Sequence, residues 1–213
     1  MDDRPPPGNR YRGYDVLDRW TTVDWDDSTR AVIRNRCENI PEFRFFSAEQ
    51  AQLLEAVIER IVPQPGAEAG VRVPIAQRID EKLFHDWRDG YRYEGLPPQR
   101  DAWALGLSGI QETARELYGR GFTQLDGDSQ DRVLQRVQHG EVSGHSWEQL
   151  PARLFFSELL CSTAVGMYYS HPKAWSEIGY SGPAAIRGHV RKWTDGVDPW
   201  EPRETHDPGT AEE

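Results

Sequence analysis

An all-α fold, a helical bundle of about five or six helices with extended N- and C-terminal arms, is what this 213-residue sequence predicts. Three observations point to it. Apolar residues recur at steps of three and four in several separate segments, the period of a helix with one buried face. Start and stop signals bracket those segments: Ser47 with Gln50 three residues on, Pro63 after the first stripe, and Pro74 and Pro151 at helix starts. Strand signals are scarce, and no internal repeat is present.

Residues 1–28 read as an extended arm. Pro5, Pro6 and Pro7 favour an open polyproline-like start, and Tyr11, Tyr14, Trp20 and Trp25 then recur without helical or strand period. Rings on an aperiodic segment need a surface to bury them, either this chain's own or a partner's. Residues 29–194 are read as the helical domain. Its first helix follows FRFF, where Ser47 and Gln50 make a capping-box pattern. Leu53, Leu54, Val57, Ile58, Ile61 and Val62 line one face, and Pro63 stops it. A second helix is expected from Pro74, with Ile75, Ile79 and Leu83 inward and Phe84 and Trp87 extending the stripe.

Arg88 to Gln99 reads as a loop. A third helix, Asp101 to Tyr118, places Trp103, Leu107, Ile110, Ala114 and Leu117 on one side, and its Gly106 and Gly109 leave room for a neighbour to approach closely. Asp126 to His139 gives a fourth, with Val133, Leu134 and Val137 inward. Ser146 to Gln149 repeats the capping-box pattern, and Pro151 opens the most apolar segment, ARLFFSELLCSTAVGMYY, a buried helix. Residues 183–194 suggest a last short helix. The acidic, proline-bearing tail 195–213 reads as a solvated coil or second arm.

Charge and composition narrow the function. Net charge is −10, which argues against a nucleic-acid or anionic-membrane binder. No run of eighteen apolar residues occurs, and the N-terminus shows neither an apolar export core nor a twin-arginine pair, so a cytoplasmic protein is expected. Cys37 and Cys161 are the only cysteines and form no C-x-x-C.

Catalytic patterns are missing. The DGDSQD run, Asp126 to Asp131, resembles a calcium loop only superficially, because the positions that need Gly and Glu hold Asp131 and Val137; an acidic helix start explains it. The six histidines include no i,i+4 pair, and there is no nucleophile elbow, P-loop or dinucleotide fingerprint. Loops carry aromatics, Gly and Pro instead, most densely in GMYYSHPKAWSEIGYSGPAA, Gly166 to Ala185. That composition suits an interface.

Two segments resemble one known family when read in order. FFSAEQAQLLEAVIERIVPQPGAEAGVRVPIAQRIDEKL, Phe45 to Leu83, carries an aromatic-capped helix, an I-V-P stop, a G-A-x-x-A-G-V turn and an I-D helix. WEQLPARLFFSELLCSTAVGMYYSHPKAWSEIGYSGP, Trp147 to Pro183, carries an F-F-x-x-L helix, a G-x-Y-x-x-P turn and W-x-x-I-G-Y-x-G. Together they are similar to the gluconate 2-dehydrogenase subunit 3 family, the small or gamma subunit of flavin-dependent dehydrogenases. The resemblance implies a non-catalytic chain that binds and stabilises a large glucose–methanol–choline-type flavoprotein acting on a sugar, sugar acid or glycoside. FAD would sit in that partner, and this chain would hold no cofactor, no metal and no catalytic residue.

On that reading the interface residues are Tyr11, Tyr14, Trp20 and Trp25 in the arm and Tyr168, Tyr169, His171, Pro172, Trp175 and Tyr180 in the loop, with Gly179 and Gly182 shaping its turn. His171 could instead reach the partner's substrate pocket. Two other classes fit the bare sequence: a stand-alone helical enzyme using histidines and carboxylates, with or without a metal, and a self-associating structural protein.

Overall fold

The computed structural model describes residues 11, 13–64, 72–90, 93–184, 188, 196 and 200–203. In chain order these form a 3-10 turn (Val16–Arg19), α1 (Asp27–Glu38), α2 (Ala48–Ile61), α3 (Ile75–Phe84), α4 (Gln99–Tyr118), a second 3-10 turn (Phe122–Gln124) and α5 (Gly127–His139). Then come α6 (His145–Gln149), α7 (Ala152–Leu154), a π-helical segment (Phe155–Cys161), α8 (Ser162–Tyr169) and α9 (Pro172–Glu177). The protein is all-α, with no strand among the described residues. No helix there is long and apolar enough to cross a membrane. Most of the expected helix at 183–194, the start of the N-terminal arm at 1–10 and most of the tail lie outside the described residues.

The chain divides into a smaller unit, Met1–Asn39 with Tyr169–Glu213, and a larger one, Ile40–Tyr168. The larger unit starts at a polar joint. Asp80, on α3 and fully buried, accepts the backbone N–H groups of Arg44 at 2.7 Å, Phe45 at 3.1 Å and Phe46 at 2.8 Å. A buried carboxylate persists only when donors replace its lost hydration, and three backbone donors do so here. The next residue begins α2, where the capping box forms as expected: the Gln50 N–H donates to Ser47 Oγ and the Ser47 N–H to Gln50 Oε1. Leu53, Leu54, Val57 and Ile58 are buried. Beyond Pro63, the buried Gln64 amide pairs with both backbone groups of Val73, at 2.9 and 3.1 Å, and so ties the end of α2 to the start of α3.

The twenty-residue α4 is the central post, packed on both α5 and α6. Trp103, Leu107, Ile110 and Ala114 are fully buried on it. Gly106 and Gly109 act as the sequence suggests, because a Cβ at Gly106 would enter the Phe155 ring and one at Gly109 the Trp147 indole. The Trp147 Nε1–H donates to Thr113 Oγ1 at 3.0 Å, so α6 docks with both shape and a hydrogen bond. Left-handed Gly119 and Gly140 end α4 and α5. On α5 the expected Val133, Leu134 and Val137 are inward.

Four local expectations are corrected. The Ser146 hydroxyl is not a cap; it donates to Glu112 Oε1 at 2.7 Å, and α6 begins at Gly144 without a side-chain cap. Phe84 and Trp87 do not extend the buried stripe, because α3 ends there and Asp86 turns the chain with φ at 52°. Leu117 is exposed at the end of the α4 stripe. The helix after Pro151 is not uniformly α: its middle, Phe155–Cys161, is π-helical, with Phe155, Phe156 and Leu160 facing the core. Two short helices were not anticipated. α1 buries only Ile33, so its apolar period is nearly silent, and α9 has six residues.

Gly106→Ala is expected to lower stability by about 1–3 kcal/mol in denaturant melts, since Phe155 must leave its rotamer or α4 must shift. The Asp126 cap, which accepts the Ser129 N–H at 2.8 Å, yields a pH prediction. That hydrogen bond holds its carboxyl below the ordinary 3.8, so its stabilisation is present above that pH and fades as pH falls through the lower folded value. Asp126→Ala should therefore lower the melting temperature at pH 7, and the gap to wild type should close toward pH 3.

Candidate functional site

The smaller unit brings together most of the residues selected from sequence. Its first part is short and built on caps. Asp15 accepts the Leu17 N–H at 2.9 Å and opens the 3-10 turn; Asp26 accepts the Thr29 N–H at 2.7 Å and opens α1. Val16, Trp25 and Ile33 form its buried core, ringed by Tyr14, Leu17, Trp20, Cys37 and Trp175. Trp25 packs on Trp20 with centroids 5.1 Å apart and on Trp175 at 6.4 Å, and Trp175 meets Tyr180 edge-on at 5.5 Å. Tilted and edge-on arrangements place positive ring edges against negative faces.

Polar groups lock this cluster in register. Val16 N–H donates to Ser176 Oγ at 3.1 Å, and Tyr14 Oη–H to the Tyr180 carbonyl at 3.1 Å. Burial raises the Tyr14 phenol above its usual value, with Arg19 opposing, so it remains a donor. Arg19 pairs with the buried carboxylate of Asp24 and donates to the Ser181 carbonyl at 2.6 Å. Arg36 donates to the Ser170 carbonyl at 2.8 Å, and Arg30 to the carbonyls of Trp20 and Thr22. The aromatic stretch 11–25 is thus held against 169–182 within one unit.

His171 is buried, and its Nδ1 accepts the Lys173 N–H at 3.1 Å, capping α9 with Pro172 in its first turn. An Nδ1 that accepts puts the proton on Nε2 of the neutral ring. The Trp175 Nε1–H donates to the Tyr169 carbonyl at 2.6 Å. Gly179 has φ at 68° and lies under the Tyr11 ring, where any Cβ would collide. Gly182 has φ at 81°, and a Cβ there would lie 2.8 Å from Val16 Cγ2 and 3.2 Å from Trp25 Cζ2. Tyr168 belongs to the larger unit and packs on its core.

Exposure sorts these residues. Trp25 is 1 % exposed and keeps no face for another protein, whereas Tyr169 at 46 % and Tyr180 at 39 % do. Sequence reasoning passed over Ile178, 48 % exposed beside Gly179. Its signal was the W-x-x-I-G-Y spacing, which sets an apolar residue on a left-handed turn. Among the described residues no three His, Cys, Asp or Glu side chains gather as a metal site. Burial holds the Cys37 and Cys161 thiols above their ordinary value, which keeps both protonated and poorly nucleophilic. The arrangement can display an apolar surface.

The family model described as gluconate 2-dehydrogenase subunit 3 matches residues 48–182. No curated protein and no solved structure matches the chain.

Gly182→Ala tests the tightness of this unit. Gly13, with φ at 78° and nothing within 4 Å of a Cβ, supplies the comparison. Gly13→Ala should cost about 1 kcal/mol from left-handed strain alone. Gly182→Ala should add about 1–3 kcal/mol of crowding and shift tryptophan emission as Trp25 is displaced. Equal effects in denaturant melts would show that the contact with Val16 and Trp25 is loose.

Proposed function

The chain belongs to the gluconate 2-dehydrogenase subunit 3 family, and on that premise we propose that it is the non-catalytic small subunit of a flavin-dependent dehydrogenase. Its partner is a large glucose–methanol–choline-type flavoprotein that holds FAD and oxidises a hydroxyl of a sugar, sugar acid or glycoside. This chain binds that folded partner and stabilises it by mass action, because a ligand of the native state alone shifts the unfolding equilibrium. The observation that carries the reading is the family match across 135 residues (48 through 182). In support, the smaller unit presents exposed Tyr169, Ile178 and Tyr180 on a frame fixed by buried Trp25, Pro172 and His171.

A preordered apolar face binds with less loss of side-chain freedom than a mobile one. The hydrogen bond from Trp175 to the Tyr169 carbonyl and the edge contact of Trp175 with Tyr180 provide that order. The two free thiols, Cys37 and Cys161, fit the reducing cytoplasm proposed for the complex.

Co-expression of the tagged chain with its chromosomal neighbours tests the proposal. A yellow, stoichiometric complex is expected, together with a higher melting temperature for the flavoprotein. Ile178→Asp should weaken that complex by about tenfold or more, because it places a charge in a desolvated contact. Purification of the colourless chain alone would refute the assignment.

A further inference from the structure

The larger unit carries an exposed stack of side chains that its fold does not require, built where α3 ends. The Asp86 N–H donates to the Leu83 carbonyl at 3.1 Å and the Trp87 N–H to the Lys82 carbonyl at 3.0 Å. These are the paired bonds of a Schellman ending, in which the left-handed position normally goes to glycine. Here Asp86 holds it at φ 52°, the only non-glycine residue with positive φ among the described residues. Its carboxylate in turn receives Arg88 Nε at 3.0 Å and Arg88 Nη2, so the turn is clamped from both sides.

This turn brings two rings onto one side. His85 and Trp87 stack with centroids 4.8 Å apart and planes 16° from parallel, and Phe84 meets His85 edge-on at 5.1 Å. Arg44 completes the set: its guanidinium lies 4.1 Å over the Phe84 ring, and its Nη2 donates to His85 Nε2 at 3.1 Å. Arginine has no acceptor, so the guanidinium is the donor in this contact. The backbone of Arg44 is itself held by Asp80. Trp87 is nevertheless 55 % exposed and Phe84 40 % exposed.

The charges are as telling as the rings. In a chain of net charge −10, the Arg44 guanidinium contacts a ring and an imidazole and forms no salt bridge among the described residues. Arg100, from the first turn of α4, lies 4.9 Å over Phe45, the residue after Arg44, and its charge also acts on the Asp86 carboxylate. Arg88 and Lys82, by contrast, are neutralised by Asp86 and Asp89. Beside the stack opens a cleft of about 650 Å³ whose apolar lining includes Leu96, Pro97, Pro98 and Leu159. Four acids and the two cations Arg88 and Arg100 also line it, and its apolar part suits an uncharged side chain.

We propose that the Arg44–Phe84–His85–Trp87 stack is a docking point for the flavoprotein subunit, receiving a segment that sets a carboxylate on Arg44 and an apolar side chain against Trp87 and the neighbouring cleft. The proposal rests on the small-subunit reading above and adds a second contact surface, in the larger unit, of stated chemistry. Guanidinium groups already lying on aromatic faces recognise carboxylates with little rearrangement. Exposed Trp87 on a clamped turn, with Arg44 beside it, also matches the composition of binding hot spots.

The test uses the full-length chain and the purified, FAD-loaded flavoprotein from among its chromosomal neighbours, with affinity measured by calorimetry at several salt concentrations. Trp87→Ala and Arg44→Gln should each weaken binding by about tenfold or more, and the double variant by less than the product because the stack acts as one unit. Arg44→Gln should also flatten the salt dependence, whereas Arg44→Lys should retain it while losing affinity. Circular dichroism melts check that the variants fold; should Arg44→Gln fail, Arg100→Gln and Trp87→Ala decide. Affinities within about twofold of wild type, with Ile178→Asp still disruptive, would overturn the docking point and leave the small-subunit reading standing. Absence of any wild-type complex would overturn both. A switch of the isolated chain from dimer to monomer on Trp87→Ala would assign the stack to a second copy of this chain and overturn the proposal as well.

Discussion

A single carboxylate organises the start of the larger unit. Asp80 receives the N–H groups of Arg44, Phe45 and Phe46 in a fully buried position, and the chain enters α2 one residue later. Removing the carboxylate would strand three donors, and an unmet buried donor costs more than a made hydrogen bond gains. The joint fixes α3 against the loop before α2 at one end, while the Gln64 amide fixes the same two helices through Val73 at the other. Two helices pinned at both ends have one way to face α4. The arginine stack inherits its order from the same source, since Arg44 is one of the three residues that Asp80 holds.

Much of this was legible in the amino-acid order because it is local. Ser47 finds Gln50 three residues away, Pro74 opens α3, and the glycines of α4 announce a close neighbour before Phe155 and Trp147 are known to be it. Contacts that span the chain were not legible. Nothing near Asp80 shows that its partners lie 34 to 36 positions earlier, and Ser146 looks like a cap until Glu112, 34 residues back, takes its hydroxyl. α1 was missed because one buried side chain leaves no period to read.

The aromatic stretches were legible as surfaces needing cover, but not as cover for each other. Trp25 meets Trp175 across 150 residues of sequence, a pairing that no local pattern encodes. Their meeting gives the rings separate roles. Trp25 becomes core, Trp175 joins packing to hydrogen bonding, and Tyr169 and Tyr180 remain as the outer face. The histidine that looks chemical in sequence is a helix cap in structure. The rings selected from the sequence therefore meet mostly within one unit, where several of them serve packing and capping.

The π-helical segment carries a consequence for the helix that follows. Each π turn holds one residue more than an α turn, so the winding is set back by about a hundred degrees relative to an uninterrupted α-helix. Phe156, Leu160 and Ala164, spaced four apart, share the buried side through this segment and into α8. The extra residue is absorbed inside the segment, and regular α-helical winding resumes at Ser162. Within the segment the buried Phe155, Phe156 and Leu160 anchor it to the core.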